Sequence, residues 1–279
     1  MIEVGVVVLN YNNYGETIKC VNSILTQKQI SVHVVVVDNG SQNQSYNELY
    51  HTFINIENVD VLRSLENLGY AQGNNIGIKH LREKGFEDIF VSNSDLFFKS
   101  EGILYDLVNN KEKGVGLVNP LIRNLNGTID QRVSYKKRFL YLRMVKKYFE
   151  WLLEKEIALS GKSNDNSIET VKLIKGIQLD RYIVAGSGFL LTKDFFDIYN
   201  GLYPGTFLYY EEWATILLLS KACLKTQIVE TDPIIHKGGA STPVDVKSRS
   251  QQRRKICKES WAAIFRLMVT PSWIAKRLY

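Results

Sequence analysis

Four short runs rich in β-branched residues, Val4 to Leu9, Val32 to Val37, Val59 to Leu62 and Ile89 to Val91, recur at spacings near 28 residues. Their apolarity is continuous rather than alternating, as expected of strands buried on both faces. Amphipathic stretches lie between them. Tyr14 to Leu25 sets Ile18, Val21 and Leu25 on one helical stripe, and Ala71 to Leu81 does the same with Ile76, Ile78 and Leu81. Tyr46 to Phe53 carries a weaker helical pattern. Strand and helix alternating at this spacing predict βαβ units and a parallel sheet, whose ligands sit at the carboxyl ends of the strands. The polar clusters Asn10 to Asn13, Asp38 to Ser41, Asn67 to Asn75 and Ser92 to Asp95 all fall at those ends.

The pattern breaks from Arg123 to Lys175, which runs basic, then aromatic, then polar (Gly161 to Ser167), and reads as an insertion or lid. A strand is expected over Tyr182 to Leu191, a helix over Glu211 to Cys223 and a short strand over Gln227 to Glu230, leading to Pro233 and His236. There is no internal repeat and no low-complexity segment. At 279 residues, with 45% hydrophobic and 23% charged positions, the chain is neither disordered nor collagenous and suffices for one large or two small domains. Cys20, Cys223 and Cys257 are odd in number and far apart, giving neither a metal spacing nor a disulfide framework and favouring a reducing compartment. No signal peptide is expected before Val4 and no stretch approaches a membrane span, so the expectation is a soluble or peripherally bound cytoplasmic protein.

Several signatures fail. Gly161-Lys162-Ser163 lacks the P-loop's earlier glycine, since Glu156 stands there. Gly69, Gly73 and Gly77 recur every fourth residue rather than as GxGxxG. Gly186-Ser187-Gly188 is not a nucleophile elbow, and no paired-histidine zinc motif occurs.

What remains is a set of acids. Asp38 closes a strand ahead of Asn39-Gly40-Ser41, so it either accepts hydrogen bonds from a base or ribose or caps its own turn. Asp95 ends Ser92-Asn93-Ser94-Asp95, where it either meets a cation bridging two phosphates or caps a helix. Glu211 and Glu212 open a helix after Phe207-Leu208-Tyr209-Tyr210. Acids in a first turn commonly serve the helix dipole, but beside aromatics they can be desolvated and act as a general base. His236, ahead of Lys237-Gly238-Gly239, is either structural or a contact for metal or phosphate.

Taken in order, these segments resemble glycosyltransferase family 2, the inverting enzymes of GT-A fold, near a rhamnosyltransferase-like bacterial branch. The resemblance is carried by Val7-Val8-Leu9-Asn10-Tyr11-Asn12, Val37-Asp38-Asn39-Gly40-Ser41 and Glu66-Asn67-Leu68-Gly69-Tyr70-Ala71-Gln72-Gly73-Asn74-Asn75-Ile76-Gly77. It continues through Ser92-Asn93-Ser94-Asp95, Gly186-Ser187-Gly188-Phe189-Leu190-Leu191, Phe207 to Glu212 and His236, covering residue 2 to about 241. It implies an α/β, Rossmann-like, mostly parallel central sheet flanked by helices. The GT-A domain would span 1–246, with a basic helical insertion at about 123–175, followed by a basic amphipathic helical tail at 247–279. It further implies that Asn10 and Asp38 lie at the nucleotide base and ribose, and that Gly69, Asn74 and Asn75 line the nucleotide-sugar. Asn12 and Ser94, from the same motifs, join that set.

Asp95 matches the last acid of the family's DxD motif, and His236 a late histidine contacting metal or diphosphate, so Mg2+ or Mn2+ held by Asp95 and His236 is the implied cofactor. Glu212 falls where the family's Glu-Asp pair places its catalytic aspartate, with Glu211 beside it. Two residues depart from the pattern. The first DxD position is Asn93, which leaves the metal to Asp95, His236 and the diphosphate or dispenses with it. The acid pair is Glu-Glu, which lengthens the base by one methylene. The implied reaction is inverting transfer of a sugar from dTDP-rhamnose or a UDP-hexose to a hydroxyl of a lipid-linked glycan, in bacterial surface polysaccharide synthesis. The alternative within the same fold is a nucleotide-sugar-binding protein with impaired catalysis.

The net charge of +6 is unevenly placed: +7 lies within 132–147, +8 from Lys247 onward, and −9 on everything else. Read as a helix, Phe139 to Leu153 puts Phe139, Leu142, Val145, Phe149 and Leu152 on one stripe. In the tail, Ile264, Phe265, Leu267, Met268, Trp273 and Ile274 follow Arg253-Arg254-Lys255, and Trp261 and Trp273 are expected at the surface. Basic residues beside aromatics describe either a segment lying on an anionic membrane or a solvated basic face. The tail is therefore expected to anchor the protein at the inner face of the plasma membrane, with its deletion costing membrane association more than donor binding. No nucleic-acid-binding module is present, so nucleic acid is not an expected partner; a homodimer is compatible with the sequence.

Overall fold

In the computed structural model the described residues are 2–130, 132–137, 140–153, 176–177, 181–238 and 246–279. The polar stretch Gly161 to Ser167 and Phe139 lie outside them. The first half runs β1 (Glu3–Asn10), α1 (Tyr14–Leu25), β2 (Ser31–Asn39), α2 (Ser45–Phe53), β3 (Val59–Ser64), α3 (Gly69–Glu83), β4 (Ile89–Asn93), β5 (Leu96–Phe98), α4 (Ile103–Asn109), β6 (Val115–Asn119) and β7 (Ile122–Asn124). The second half runs β8 (Arg132–Lys136), α5 (Leu140–Leu153), β9 (Gly176–Ile177), β10 (Arg181–Ala185), β11 (Gly188–Leu191), α6 (Lys193–Phe196), α7 (Glu211–Ala222), β12 (Lys225–Ile228), β13 (Ile234–His236), α8 (Val246–Val269) and α9 (Ser272–Leu278).

Among these, eight strands form one sheet in the order β3-β2-β1-β4-β11-β6-β12-β9. β1, β2, β3 and β4 are mutually parallel, as are β6 and β12, while β11 runs antiparallel between β4 and β6. The continuous valine runs have the burial that their composition predicts. Val7, Val35, Val37 and Val91 enter an apolar cluster on one face, and Val4, Val6, Val8, Val34 and Val36 a cluster on the other. The glycines spaced by four on α3 serve this packing: a Cβ at Gly77 would lie 2.6 Å from Val7, and one at Gly73 2.7 Å from Leu9. They let the helix backbone settle directly onto β1 and β2.

Three expectations change. The single strand expected over Tyr182 to Leu191 is two strands broken at Gly186-Ser187: β10 pairs with β8 in a small separate ladder, and β11 enters the main sheet. Among the described side chains of α5, Leu140 and Met144 are buried and Val145 packs partly buried against the same cluster, whereas Leu142, expected on the apolar stripe, is 70% exposed. Tyr148 of α5 stacks on Phe265 of α8 at 3.9 Å. Trp261 is buried rather than exposed, packed against Trp213 of α7, and only Trp273 of the two tail tryptophans faces outward. Ala263, Ile264, Leu267 and Ala275 share the same apolar cluster as the sheet, so α8 and α9 contribute to the core. No helix of the described residues is long and apolar enough to cross a membrane.

Candidate active site

The expected nucleotide residues lie at the carboxyl ends of adjacent strands, where the register pairs Asn10 of β1 with Asp38 of β2. Asn10 Nδ2 donates to Asp38 Oδ1 at 2.8 Å and to Ser41 Oγ at 3.3 Å, and Thr17 Oγ1 donates to Asn10 Oδ1 at 2.8 Å. Ser41 N–H donates to Asp38 Oδ2 at 3.2 Å. Both residues are fully buried, so Asp38 is tied into the loops that frame the crevice. Asn12, in a left-handed conformation (φ 56°), bridges the same loops: its N–H donates to Ser41 Oγ at 2.8 Å and its Oδ1 accepts from Gln42 N–H at 2.9 Å.

The start of α3 is built against the loop that precedes α7. Gly69 has φ +81°, and a Cβ there would lie 2.2 Å from the Phe207 carbonyl oxygen, so only glycine permits this approach. The next N–H, of Tyr70, donates to that carbonyl at 2.8 Å. Asn75 is committed to Leu202, donating to its carbonyl and accepting from its N–H at 2.8 Å each. Asn74 donates to the Tyr70 carbonyl, and its buried Oδ1 has no hydrogen-bond partner among the described residues. A buried amide oxygen left unpaired costs about 1–3 kcal/mol.

A second sheet, β5-β13-β7, brings the late histidine to the expected acid. Its register sets His236 opposite Leu96, and the Lys237 N–H donates to the Asp95 carbonyl at 3.1 Å. Asp95 and Ser94 are both buried. His236 Nε2 lies 3.3 Å from Asp95 Oδ1, and Nδ1 faces Asp130 Oδ2 at 3.1 Å without hydrogen-bond alignment. Burial disfavours charge on this ring, but the carboxylates of Asp130 and Asp95 outweigh it and push the His236 pKa up to about 10. Asp130 also accepts a hydrogen bond from Ser187 Oγ.

These donors have the chemistry of a hard-cation site, but their placement does not fit one. The imidazole stands between the two carboxylates, and among the described residues no group of three or more His, Cys, Asp or Glu is disposed to hold a metal ion.

The acid pair opens α7 directly after Tyr209 and Tyr210, consecutive left-handed residues at φ 71° and 69°. Non-glycine residues there each cost about 1–3 kcal/mol, a strain the surrounding packing must hold. Glu212 is set against the break between β10 and β11: a Cβ at Gly186 would fall 2.0 Å from Glu212 Oε1. Burial raises the Glu212 pKa, and the Asp130 carboxylate adds to the shift. Burial likewise pushes Glu211 up to about 8, with Glu212 beside it, and Glu211 Oε1 has no hydrogen-bond partner among the described residues. Tyr70 OH donates to the Gly186 carbonyl at 3.2 Å, closing the wall beside the pair.

The Gly186-Ser187 break therefore joins both halves of the chemistry: Glu212 rests on Gly186, and Ser187 reaches Asp130, which faces His236 and through it Asp95. Sequence reasoning brought in neither Asp130 nor the role of Gly186. Asp130 lay in the stretch read as an insertion, although Asn126-Gly127 is a hairpin signal that would have returned the chain beside β7.

Residues 5–168 match the model of the family described as Glycosyl transferase family 2. Among solved structures, the chain is similar to S. aureus TarS 1-349 (14% identity, 85% of this chain, 60% of that one, TM-score 0.51). It resembles the same protein in complex with UDP (14%, 85%, 61%, TM-score 0.53). It also resembles the mannosyltransferase PcManGT from Pyrobaculum calidifontis in complex with GDP-Man and Mn2+ (13%, 94%, 64%, TM-score 0.57). The chain spans 60–64% of the length of these three structures. No curated protein matches it.

Proposed function

The chain belongs to glycosyl transferase family 2, and from that premise we propose that it is an inverting glycosyltransferase using a nucleotide-diphosphate sugar, dTDP-rhamnose or a UDP-hexose. The observation that carries this reading is the desolvated Glu212 carboxyl lodged against Gly186, next to the crevice where the strand ends and Asp95 converge. In one in-line displacement, Glu212 takes the proton of an acceptor hydroxyl, that oxygen bonds to the anomeric carbon, and the bond from that carbon to the diphosphate oxygen breaks. The nucleoside diphosphate leaves with the electron pair, and attack from the opposite side inverts the anomeric centre. Asn74, whose buried Oδ1 lacks a hydrogen-bond partner among the described residues, is proposed to accept from the donor.

The test is a panel of nucleotide-sugars followed by anomeric analysis of the product, run with Mn2+, with Mg2+ and with chelator. One donor should be hydrolysed slowly without acceptor and transferred with inversion when acceptor is present. A donor that binds but is neither hydrolysed nor transferred would favour the impaired-binding alternative, and retention at the anomeric carbon would sink the mechanism.

The acceptor proposed is a lipid-linked glycan at an anionic membrane surface, in bacterial surface polysaccharide synthesis. Support comes from α9 and the end of α8, where Trp273, Leu278 and Val269 are all at least 60% exposed beside Lys276 and Arg277. Each basic residue near an anionic surface contributes about 1 kcal/mol, so Trp273→Ala with Lys276→Glu and Arg277→Glu should weaken binding to phosphatidylglycerol vesicles by roughly a hundredfold or more. Vesicle binding unchanged in that variant would remove this face from the proposal.

A further inference from the structure

The loop ahead of the acid pair is held by α8. Ser260 Oγ of α8 donates to the Leu208 carbonyl at 3.0 Å, and Trp261 packs on the Tyr210 ring at 4.9 Å. Two turns earlier, the Arg253 guanidinium lies 5.0 Å from the centre of the Tyr209 ring. Tyr209 and Tyr210 are the strained left-handed residues, so α8 fixes the position of the residues that lead into Glu211 and Glu212.

Arg253 is exposed, and among the described residues no carboxylate lies within ion-pair distance of it; the α8 ion pair is Lys255–Glu259. Stacking on an aromatic face leaves the in-plane N–H donors of a guanidinium available to other partners, and the Cys257 thiol, one turn along α8, is one of them. That planar fork matches a phosphate in a bidentate way that an ammonium does not. Arg254, Lys255 and Lys258 extend the positive field around it. Phe207 and Leu208 are about 40% exposed in the same loop and offer apolar contact next to the charge.

We propose that Arg253, stacked on Tyr209, is the phosphate subsite for the acceptor, so that the hydroxyl presented to Glu212 belongs to a phosphate-bearing glycan or glycolipid. This rests on the transferase reading and names the acceptor class for the same site.

The test is equilibrium binding of octyl phosphate, octyl β-glucoside and inorganic phosphate to the full chain, with UDP and dTDP both added in excess to occupy the donor side. Octyl phosphate should bind more tightly than either other probe. Arg253→Gln should weaken octyl phosphate by about tenfold to a hundredfold, as expected for loss of a charge-assisted contact, with Arg253→Lys between the two and octyl glucoside indifferent. Melting curves of both variants establish that they are folded. Octyl phosphate bound equally by wild type and Arg253→Gln would overturn the proposal. So would octyl glucoside binding as tightly as octyl phosphate, or inorganic phosphate binding as tightly, which would make the site a free-phosphate site. A chain that transfers from no donor in the panel, yet shows the Arg253-dependent binding, would count against the transferase reading and leave the anion subsite standing.

Discussion

Glu212→Gln is expected to lower sugar transfer by about 10²–10⁴-fold, the usual contribution of a positioned general base, while leaving nucleotide affinity near that of the wild type. The amide fills the same space against Gly186 but accepts no proton. Glu211→Gln should cost less, because Glu211 Oε1 is buried without a partner and it is Glu212 that is lodged against the strand break. The pH profile separates the two roles. A base must be ionised, and burial raises the Glu212 pKa, so transfer should climb with pH beyond the ordinary carboxylate range. Stability moves in the opposite direction at Glu211. Its pKa rises from 4.5 unfolded to about 8 folded, so between those values the native state binds more protons and loses stability as pH rises. Glu211→Gln removes that loss and should raise the melting temperature more at pH 8 than at pH 5. Transfer surviving in Glu212→Gln but abolished in Glu211→Gln would exchange the assignments.

The parts of this arrangement that were legible in the sequence are those that depend on local pattern. Continuous valine runs predicted β1 and β2 because strands covered on both faces need no polar alternation, and Asn10 and Asp38 could be placed together because parallel strands end on the same side. The family resemblance also implied that His236 and Asp95 share a site, and they lie 3.3 Å apart. What was not legible depends on breaks and on phase. Tyr182 to Leu191 is apolar throughout, so nothing in its periodicity showed that Gly186 turns the chain from one sheet to another, and Gly186 is where Glu212 rests. Asp130 was lost because basic charge nearby made its hairpin look like part of a lid. In α5 the mixture of aromatics and leucines supports two stripes, and packing of the helix on α8 and the core buries Leu140 and Met144 beside Val145 while leaving Leu142 outside. The basic residues of the tail drew attention to its charged face, while Trp261 on the opposite side is one of the side chains that seal the core.

Trp261→Ala is for that reason expected to destabilise the protein by about 3–5 kcal/mol, the range for emptying a large aromatic site in a packed core. The corresponding fall in melting temperature is roughly 6–20 °C for a chain of this size. The indole lies 5.8 Å from Trp213 and 4.9 Å from Tyr210, so its removal opens a cavity between α7 and α8 and frees the ring that helps hold Tyr210 at φ 69°. A strained residue without that packing relaxes, and Glu211 and Glu212 follow it in sequence. Transfer should therefore fall well below the folded fraction at temperatures where the variant is still native, while nucleotide affinity, proposed to be set by the loops around Asn10 and Asp38, holds. Trp261→Phe, which keeps an aromatic ring in the site, should recover most of both. The same reasoning reverses the expectation drawn from charge for the whole tail. Deleting residues 247–279 would strip Ala263, Ile264, Leu267 and Ala275 from the cluster that covers the sheet and leave Lys221 without the carbonyls of Met268 and Thr270 that it binds. The truncated chain should lose its cooperative melt, taking membrane and donor binding together. A truncation that melts cooperatively within a few degrees of wild type, or a Trp261→Ala shift under about 2 °C, would show that α8 is an appendage rather than part of the catalytic body.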